Sequence, residues 1–401
     1  MNRTRFTLAL VAPLLSSFVL TACIEDIKNE YFSTAPDEPR TFHLVNGFVS
    51  ACAIDDKFLL LCRSESNVGY GYAFLWLSTQ GDSVGFQMHI DSSGNRNPST
   101  MAKLRSERIV VAGGLYFGES PEDNFLACHD MNGTKLWELN LGEGSGVEKI
   151  RECENGDILV IGTTVFPNDN FVHAQLRRVS PEGNLLWSYS RPDRSWAMDA
   201  VDLESSEIIL AGWYYWNSGY VRLSQEGEQI GSTIFMPVSE DGGFDGICGD
   251  TSGNVFTTGW YRESSSSQNN VIFVAEIVLN NDSLGWVQTY ADSGYNQATE
   301  ITINESIGLT TAGNLNTGGY GSWDFLAART SRSGSTAWVS SWGTEEQDVT
   351  TSMAVDESGN VLVAGYSYKD SGYGSIACMF DNSGQFVWGK DFNYTETEDN
   401  R

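Results

Sequence analysis

Basic residues are scarce in this sequence: 24 Lys and Arg stand against 52 Asp and Glu over 401 residues, a formal net charge of −28. Phosphate backbones need Lys and Arg for affinity, so a field of that sign excludes nucleic acid as a partner. Histidine is scarcer still. The 4 present are His43, His89, His129 and His173, at no metal-ligand spacing. His129 neighbours Cys128 and Asp130, but successive strand residues face opposite ways, so adjacency alone makes no catalytic pair. The chain also lacks GxSxG, HExxH, a phosphate loop, a D-x-[DN]-x-[DN]-G calcium loop and any CxxC. These absences leave no recognisable catalytic, metal or cofactor constellation. The chain is therefore expected to be non-catalytic and to carry no cofactor. No segment keeps a helical period over a dozen residues, which excludes a helical fold.

What is present is repetition. One apolar pattern, NVLVAG ending at Gly365, returns as NVFTTG at Gly259, EIILAG at Gly212, DILVIG at Gly162 and RIVVAG at Gly113, then as GLTTAG at Gly313 and KFLLLC at Cys62. A spacing of roughly 50 residues marks a radial or solenoidal repeat. The later repeats divide into four short segments separated by turns rich in Gly, Asn, Asp and Ser. The second segment is apolar without alternation, which means burial on both faces. Four-stranded antiparallel sheets held between similar sheets are the blades of a propeller. The expected fold is all-β, a seven-bladed β-propeller with four antiparallel strands per blade over residues 46–393, followed by an acidic tail at 394–401.

A second element recurs. Gly133 precedes Trp137 by four residues, as Gly183 precedes Trp187, Gly334 precedes Trp338 and Gly384 precedes Trp388. Trp286 takes the same place with Asp282 in the turn, whereas Gly85 and Gly231 stand there in the first and fourth repeats. The glycine suits the turn between strands three and four. The ring then begins the outermost strand, where blades splay apart and a large side chain fills the wedge.

The pattern D-x-x-G-N-V-x-V-x-G from Asp356 to Gly365, with Gly384 and Trp388 beyond it, resembles the bacterial seven-bladed β-propeller repeat family. The resemblance implies a propeller in a bacterial envelope setting and supplies no shared catalytic residues. The G-x-x-x-W portion is also similar to quinoprotein-type blades.

The N-terminus points the same way. Arg3 and Arg5 precede the apolar stretch FTLALVAPLLSSFVL, which is too short for a stable membrane span. Leu20-Thr21-Ala22-Cys23 follows and resembles the lipobox of bacterial lipoproteins. That resemblance implies a signal peptide over 1–22, acylation (palmitate among the chains) at Cys23, and a lipidated N-terminus and flexible tether over 23–45. Ile24 after the cysteine implies sorting to the outer membrane.

Candidate function lies in the loops joining strands two and three, which a propeller presents on one face. They carry Tyr116, Phe117, Trp213, Tyr214, Tyr215, Trp216, Trp260, Tyr261, Trp323, Tyr366 and Tyr368. Rings beside Asn, Asp and Ser offer what a protein hot spot or a glycan requires. In the run WYYW, strand alternation forces some rings outward. The leading expectation is an envelope protein scaffold that binds a protein partner. A glycan-binding surface lipoprotein is the second reading, and a hydrolase or lyase using channel carboxylates the third. Cys52 and Cys62 flank the first hairpin turn and are a candidate disulfide; the remaining cysteines read as buried thiols.

Overall fold

The computed structural model describes residues 42–66, 69–90, 96–114, 123–143, 146–166, 171–203, 207–215, 217–235, 241–262, 269–290, 294–316, 323–369 and 372–392. Among them, strands pair into seven four-stranded antiparallel sheets, each ordered as the chain runs. Blade one spans Phe42–Ile90, and the next three span Asn97–Glu143, Gly146–Ser190 and Ser195–Phe235. Blades five to seven span Asp241–Tyr290, Gln297–Trp342 and Gln347–Asp391. Seven sheets of four strands are what the 50-residue period predicts. The second strands are buried almost throughout, as their unbroken apolar runs require: every residue of Gly308–Leu315 is buried.

The glycine that closes the repeated pattern proves not to end its strand. It sits inside the strand, opposite a β-bulge on the inner strand of the same blade. Gly259 pairs with Phe244 and Thr258 with Gly246, leaving Asp245 out of the ladder. The same shift leaves out Ser99, Glu148, Met198, Thr299 and Thr351 opposite Gly113, Gly162, Gly212, Gly313 and Gly365. A methyl group on Gly365 would collide with the carbonyl oxygen of Val349, and one on Gly212 with that of Trp196. Close backbone approach, rather than strand termination, therefore dictates glycine here. Blade one has Cys62 at this place, paired with Phe48, and its inner strand carries an additional irregularity between Leu44 and Phe48.

Each blade packs on the next through a mixed apolar cluster, and the ring closes the same way. Phe48, Phe58 and Leu60 of blade one share a core with Leu362, Met379 and Trp388 of blade seven. Ala51 N donates to Ser352 Oγ at 3.1 Å, and Thr351 Oγ1 to Phe48 O at 2.8 Å. Because every sheet is built from consecutive strands, no strand is shared across this closure.

The repeated tryptophans make the outer joints, and they do so between repeats rather than within one. Trp137 lies on Gly183 of the next blade, Trp187 on Gly227, Trp286 on Gly334, Trp338 on Gly384, and Trp388 on Gly81 of blade one. Each indole donates Nε1–H to the carbonyl two residues before that glycine: Pro181 at 3.2 Å, Gln225 at 2.9 Å, Arg332 at 3.0 Å, Asn382 at 3.1 Å and Thr79 at 2.8 Å. The receiving glycines have φ between +81° and +87° in four cases and +74° at Gly81, a conformation that costs any other residue strain. Full burial of these rings is not observed. Trp388 is 8% exposed, while the other four are half-buried.

The two blades without this tryptophan use other groups. Gln87 of blade one meets Gly133, and beside it Tyr72, His89 and His129 fill the wedge between blades one and two. Tyr220 of blade four donates to Asp282 of blade five at 2.7 Å.

The candidate disulfide is not formed. Cys52 pairs across the hairpin with Leu59 and Cys62 with Phe48, and both thiols are free. Cys52 packs toward blade two and Cys62 toward blade seven, so the sheet itself stands between them. Burial pushes the Cys52 thiol up to about 12.

Candidate functional site

Strand direction puts the connections between strands two and three, and those between blades, on one end of the ring. The expected aromatic face is divided there by burial. Tyr215 is 54% exposed and Tyr368 is exposed, with Tyr373 beside it at 49%. Tyr214 is fully buried and donates its hydroxyl to Leu210 O at 2.9 Å, which corrects its assignment to the binding face. Tyr215 follows the strand in a turn at φ +52°, so the turn and not strand alternation carries its ring outward. Trp260 is buried; Trp213, Tyr261, Trp323 and Tyr366 are half-buried. Trp213 and Tyr366 are large rings seated on glycines of the following blade, Gly243 and Gly47. Tyr116, Phe117 and Trp216, like Cys23, lie outside the described residues.

Rings and arginines on this face touch one another in sequence around blades three to five. Arg194 lies over both Phe171 and Trp196 at 5.2 Å, Trp196 meets Trp213 at 6.4 Å, and Trp213 meets Trp260 edge-on at 5.7 Å. Arg262 covers the Trp260 ring at 5.4 Å. Further round, Tyr295 stacks on Trp323 at 5.6 Å, and Tyr366, Tyr368 and Tyr373 form a cluster with centroids 4.9–5.5 Å apart. Sequence reasoning missed Phe171, Arg194, Trp196 and Tyr295, which lie just before or at the start of strands three or one rather than after strand two. Counting the connections between blades as part of the same face finds them.

A second constellation lies on the axis, where the inner strands meet. Lys149 of blade three donates to Thr299 O of blade six at 3.2 Å and stands 3.8 Å from Asp199 and 3.9 Å from Glu300. Only strands surrounding a common axis permit a bond between blades three places apart. Asp199 is completely buried and takes a two-pronged contact from Arg151 at 2.8 and 2.6 Å. It also accepts Ile247 N of blade five at 3.0 Å, and Glu300 accepts Met353 N of blade seven at 2.9 Å. Burial raises the Asp199 carboxyl, but the charges of Arg151 and Lys149 outweigh it and hold the group below its ordinary value. Glu148 reaches water but is pushed up by the crowding around it, against the pull of Lys149. These residues form no single linear motif, since Glu148, Lys149 and Arg151 come from blade three, Asp199 from blade four and Glu300 from blade six. Aligning the repeats on their bulges would have revealed them as charges at an otherwise small or apolar position.

No protein-family model matches this sequence, and no curated protein matches it in sequence. Solved structures match it in fold. The β-propeller domain of a trilobed protease from Pyrococcus furiosus, described by its open velcro topology, superposes with a TM-score of 0.55 at 10% identity, over 90% of this chain and 98% of that one. An acylaminoacyl peptidase from Pyrococcus horikoshii gives 0.52 at 10% identity, over 86% of this chain. The chain spans 52% of that peptidase's length. These neighbours correct the expectation of a non-catalytic protein: propellers of this shape belong to enzymes, so the fold gives no ground for excluding catalysis. Likeness at 10% identity reaches the fold alone, and a β-propeller is what this chain has in common with them.

Proposed function

We propose that this chain is a lipid-anchored protein of a bacterial outer membrane whose loop face captures a protein partner. The observation that carries the reading is exposure. Among the described residues, large exposed apolar side chains occur on the outer strands and on this one face, where Val165, Phe166, Phe171, Tyr215, Phe235, Tyr295, Tyr368 and Tyr373 come from blades three to seven. Exposed rings that touch one another, as Tyr368 and Tyr373 do, seldom persist on a soluble surface without a partner. The neighbouring Arg194 and Arg262 complete the Trp, Tyr and Arg composition in which binding energy concentrates. The rings pack edge-to-face and under arginine, an arrangement suited to side-chain knobs of a protein more than to the flat faces of a sugar. Support for the anchor is the Leu20–Cys23 resemblance.

A pull-down from detergent-solubilised envelopes tests the face. Replacing Tyr215, Tyr368 and Tyr373 with Ser is expected to abolish capture of a partner that the unaltered chain retains, without changing thermal stability; equal capture by both would refute the reading. For the anchor, Cys23→Ser should end incorporation of labelled palmitate. Unchanged labelling would remove it.

A further inference from the structure

Blade three breaks a rule that the other six blades keep. Alternate residues of each third strand face the preceding blade, and one of them lies level with the start of the outer strand. In the other blades that residue is Leu75, Ala127, Val221, Ala275, Ala328 or Cys378, each apolar and sealed in the core. In blade three it is Arg177, which is 4% exposed and pairs with Val160 on one side and Ser188 on the other. Val160 and Val179 belong to the apolar cluster that joins blade three to Leu126 and Cys128 of blade two, with Trp137 and Leu139 at its margin. Arg177 thus carries a cation into that junction. Four arginines are buried among the described residues, and three of them are bonded. Arg178 donates to Asp157 at 2.7 Å, Arg191 to Asp193 at 2.5 Å, and Arg329 to Gly359 O at 3.0 Å. Arg177 has no hydrogen bond or ion pair with any described residue. Burial alone pulls its guanidinium down to about 10, with no carboxylate near enough to raise it. A buried cation in that condition is costly. The position is nevertheless open to water. Ser188, directly opposite on the outer strand, is exposed, and the Arg177 nitrogens keep contact with solvent. The guanidinium stands at the floor of the wedge where the outer strands of blades two and three part.

We propose that Arg177 anchors a site for a small oxyanion, a carboxylate or a phosphate, at the outer junction of blades two and three. The unused donors select that chemistry. A planar guanidinium presents parallel N–H groups that match the oxygens of either anion, and the Ser188 hydroxyl opposite adds a further donor. A neutral ligand leaves the charge unbalanced, and a cation is repelled. The apolar margin of Trp137 and Leu139 keeps the local dielectric low, which strengthens the pairing. A chain with 52 acidic residues against 24 basic ones has carboxylates in plenty and places none here, so the countercharge comes from outside it. The site lies on the circumference, away from the aromatic loop face, and stands without the partner-capture reading.

The test follows Tm of the purified full chain while sodium acetate or sodium phosphate replaces sodium chloride at constant ionic strength. At least one anion is expected to raise Tm saturably, as a ligand of the folded state does. Arg177→Leu installs the residue that blade one already uses there. It is expected to fold and to lose the saturable rise, keeping only the unsaturable salt effect shared by both chains. Arg177→Lys retains the charge without the fork and should weaken binding about tenfold. Ser188→Ala, at an exposed position, should weaken it about threefold and leave Tm in chloride unchanged; with Arg177→Lys it carries the test if Arg177→Leu does not fold. A response to acetate alone assigns a carboxylate, to phosphate alone a phosphate, and to both a general oxyanion site. Absence of a saturable rise with either anion overturns the proposal, as does the same rise in Arg177→Leu.

Discussion

Removing the Trp388 indole should weaken the joint that closes the ring between blades seven and one. That ring is 8% exposed, rests on the Gly81 turn so closely that a methyl group there would lie 2.8 Å from it, and donates to Thr79 O at 2.8 Å. Lys390 lies over the ring at 5.7 Å and bonds Gln80 O at 3.0 Å and Gly81 O at 2.9 Å, fastening the same turn. Burying an indole removes about 150–250 Å² from water, worth roughly 4–6 kcal/mol as an upper figure. Core Trp→Ala changes run about 3–5 kcal/mol because the site partly collapses. Trp388→Ala is therefore expected to cost about 3–5 kcal/mol in equilibrium urea unfolding. Trp338→Ala, at a half-buried ring with the same hydrogen bond, should cost roughly half as much. Hydrogen exchange should show the loss first in blades one and seven, since no shared strand holds them together there. A Trp388→Ala cost below about 1 kcal/mol, or equal costs at both positions, would refute the joint as the source of closure.

Gly365→Ala should lose about 2–3 kcal/mol, because its methyl meets backbone at Val349 and no side chain can yield; a neutral result by urea unfolding would mean the bulge is not fixed. Tyr214→Ser should cost about 3 kcal/mol while Tyr215→Ser changes Tm little, the first ring being buried and the second 54% exposed; matched effects would contradict that division. The third expectation concerns pH. His129 takes the Tyr72 hydroxyl at Nε2 (2.8 Å) and bonds Gly133 O through Nδ1 (2.9 Å), which fixes a neutral ring. Burial lowers His129 to about 4 and His89 to about 3, with Lys135 opposing charge at both and Asp130 and Glu138 partly offsetting it at His129. Below their unfolded value of about 6.5 the unfolded chain binds the protons first, so stability falls as pH drops from there toward 4. A urea midpoint that is flat over that window, or one whose slope survives in His89→Phe/His129→Asn, would count against the pair.

The fold was legible because the blade is dictated locally. An unbroken apolar run such as DILVIG can be buried only between two sheets, and S-P-E-G or D-N-S-G before the outer strand can only turn: Asp381 accepts the backbone N–H of both Ser383 and Gln385. What stayed hidden was every partnership between repeats. Gly183 and Trp187 look like one motif, yet Gly183 receives Trp137 and Trp187 leaves for Gly227. Cys52 and Cys62 look opposite across a turn, and strand parity puts them on different faces of the sheet. The axial charges Lys149, Asp199, Asp245 and Glu300 meet only once four separate repeats have closed around them, so no window of sequence contains them.

The joints share one direction around the ring, and this has a consequence for synthesis. A nascent chain makes each tryptophan before the turn that receives it: the carbonyls bonded by Trp137, Trp187, Trp286 and Trp338 lie 38–46 residues further on. Blades two, three, five and six thus each leave the ribosome with one indole waiting for the next blade, and docking there proceeds vectorially. The last joint reverses the order, because the turn that receives Trp388 was made 309 residues earlier. Blade one must keep that socket vacant until blade seven is made, and Trp388 then joins the Phe48–Leu362 core and the Ala51–Ser352 bond in turning an open arc of blades into a closed ring.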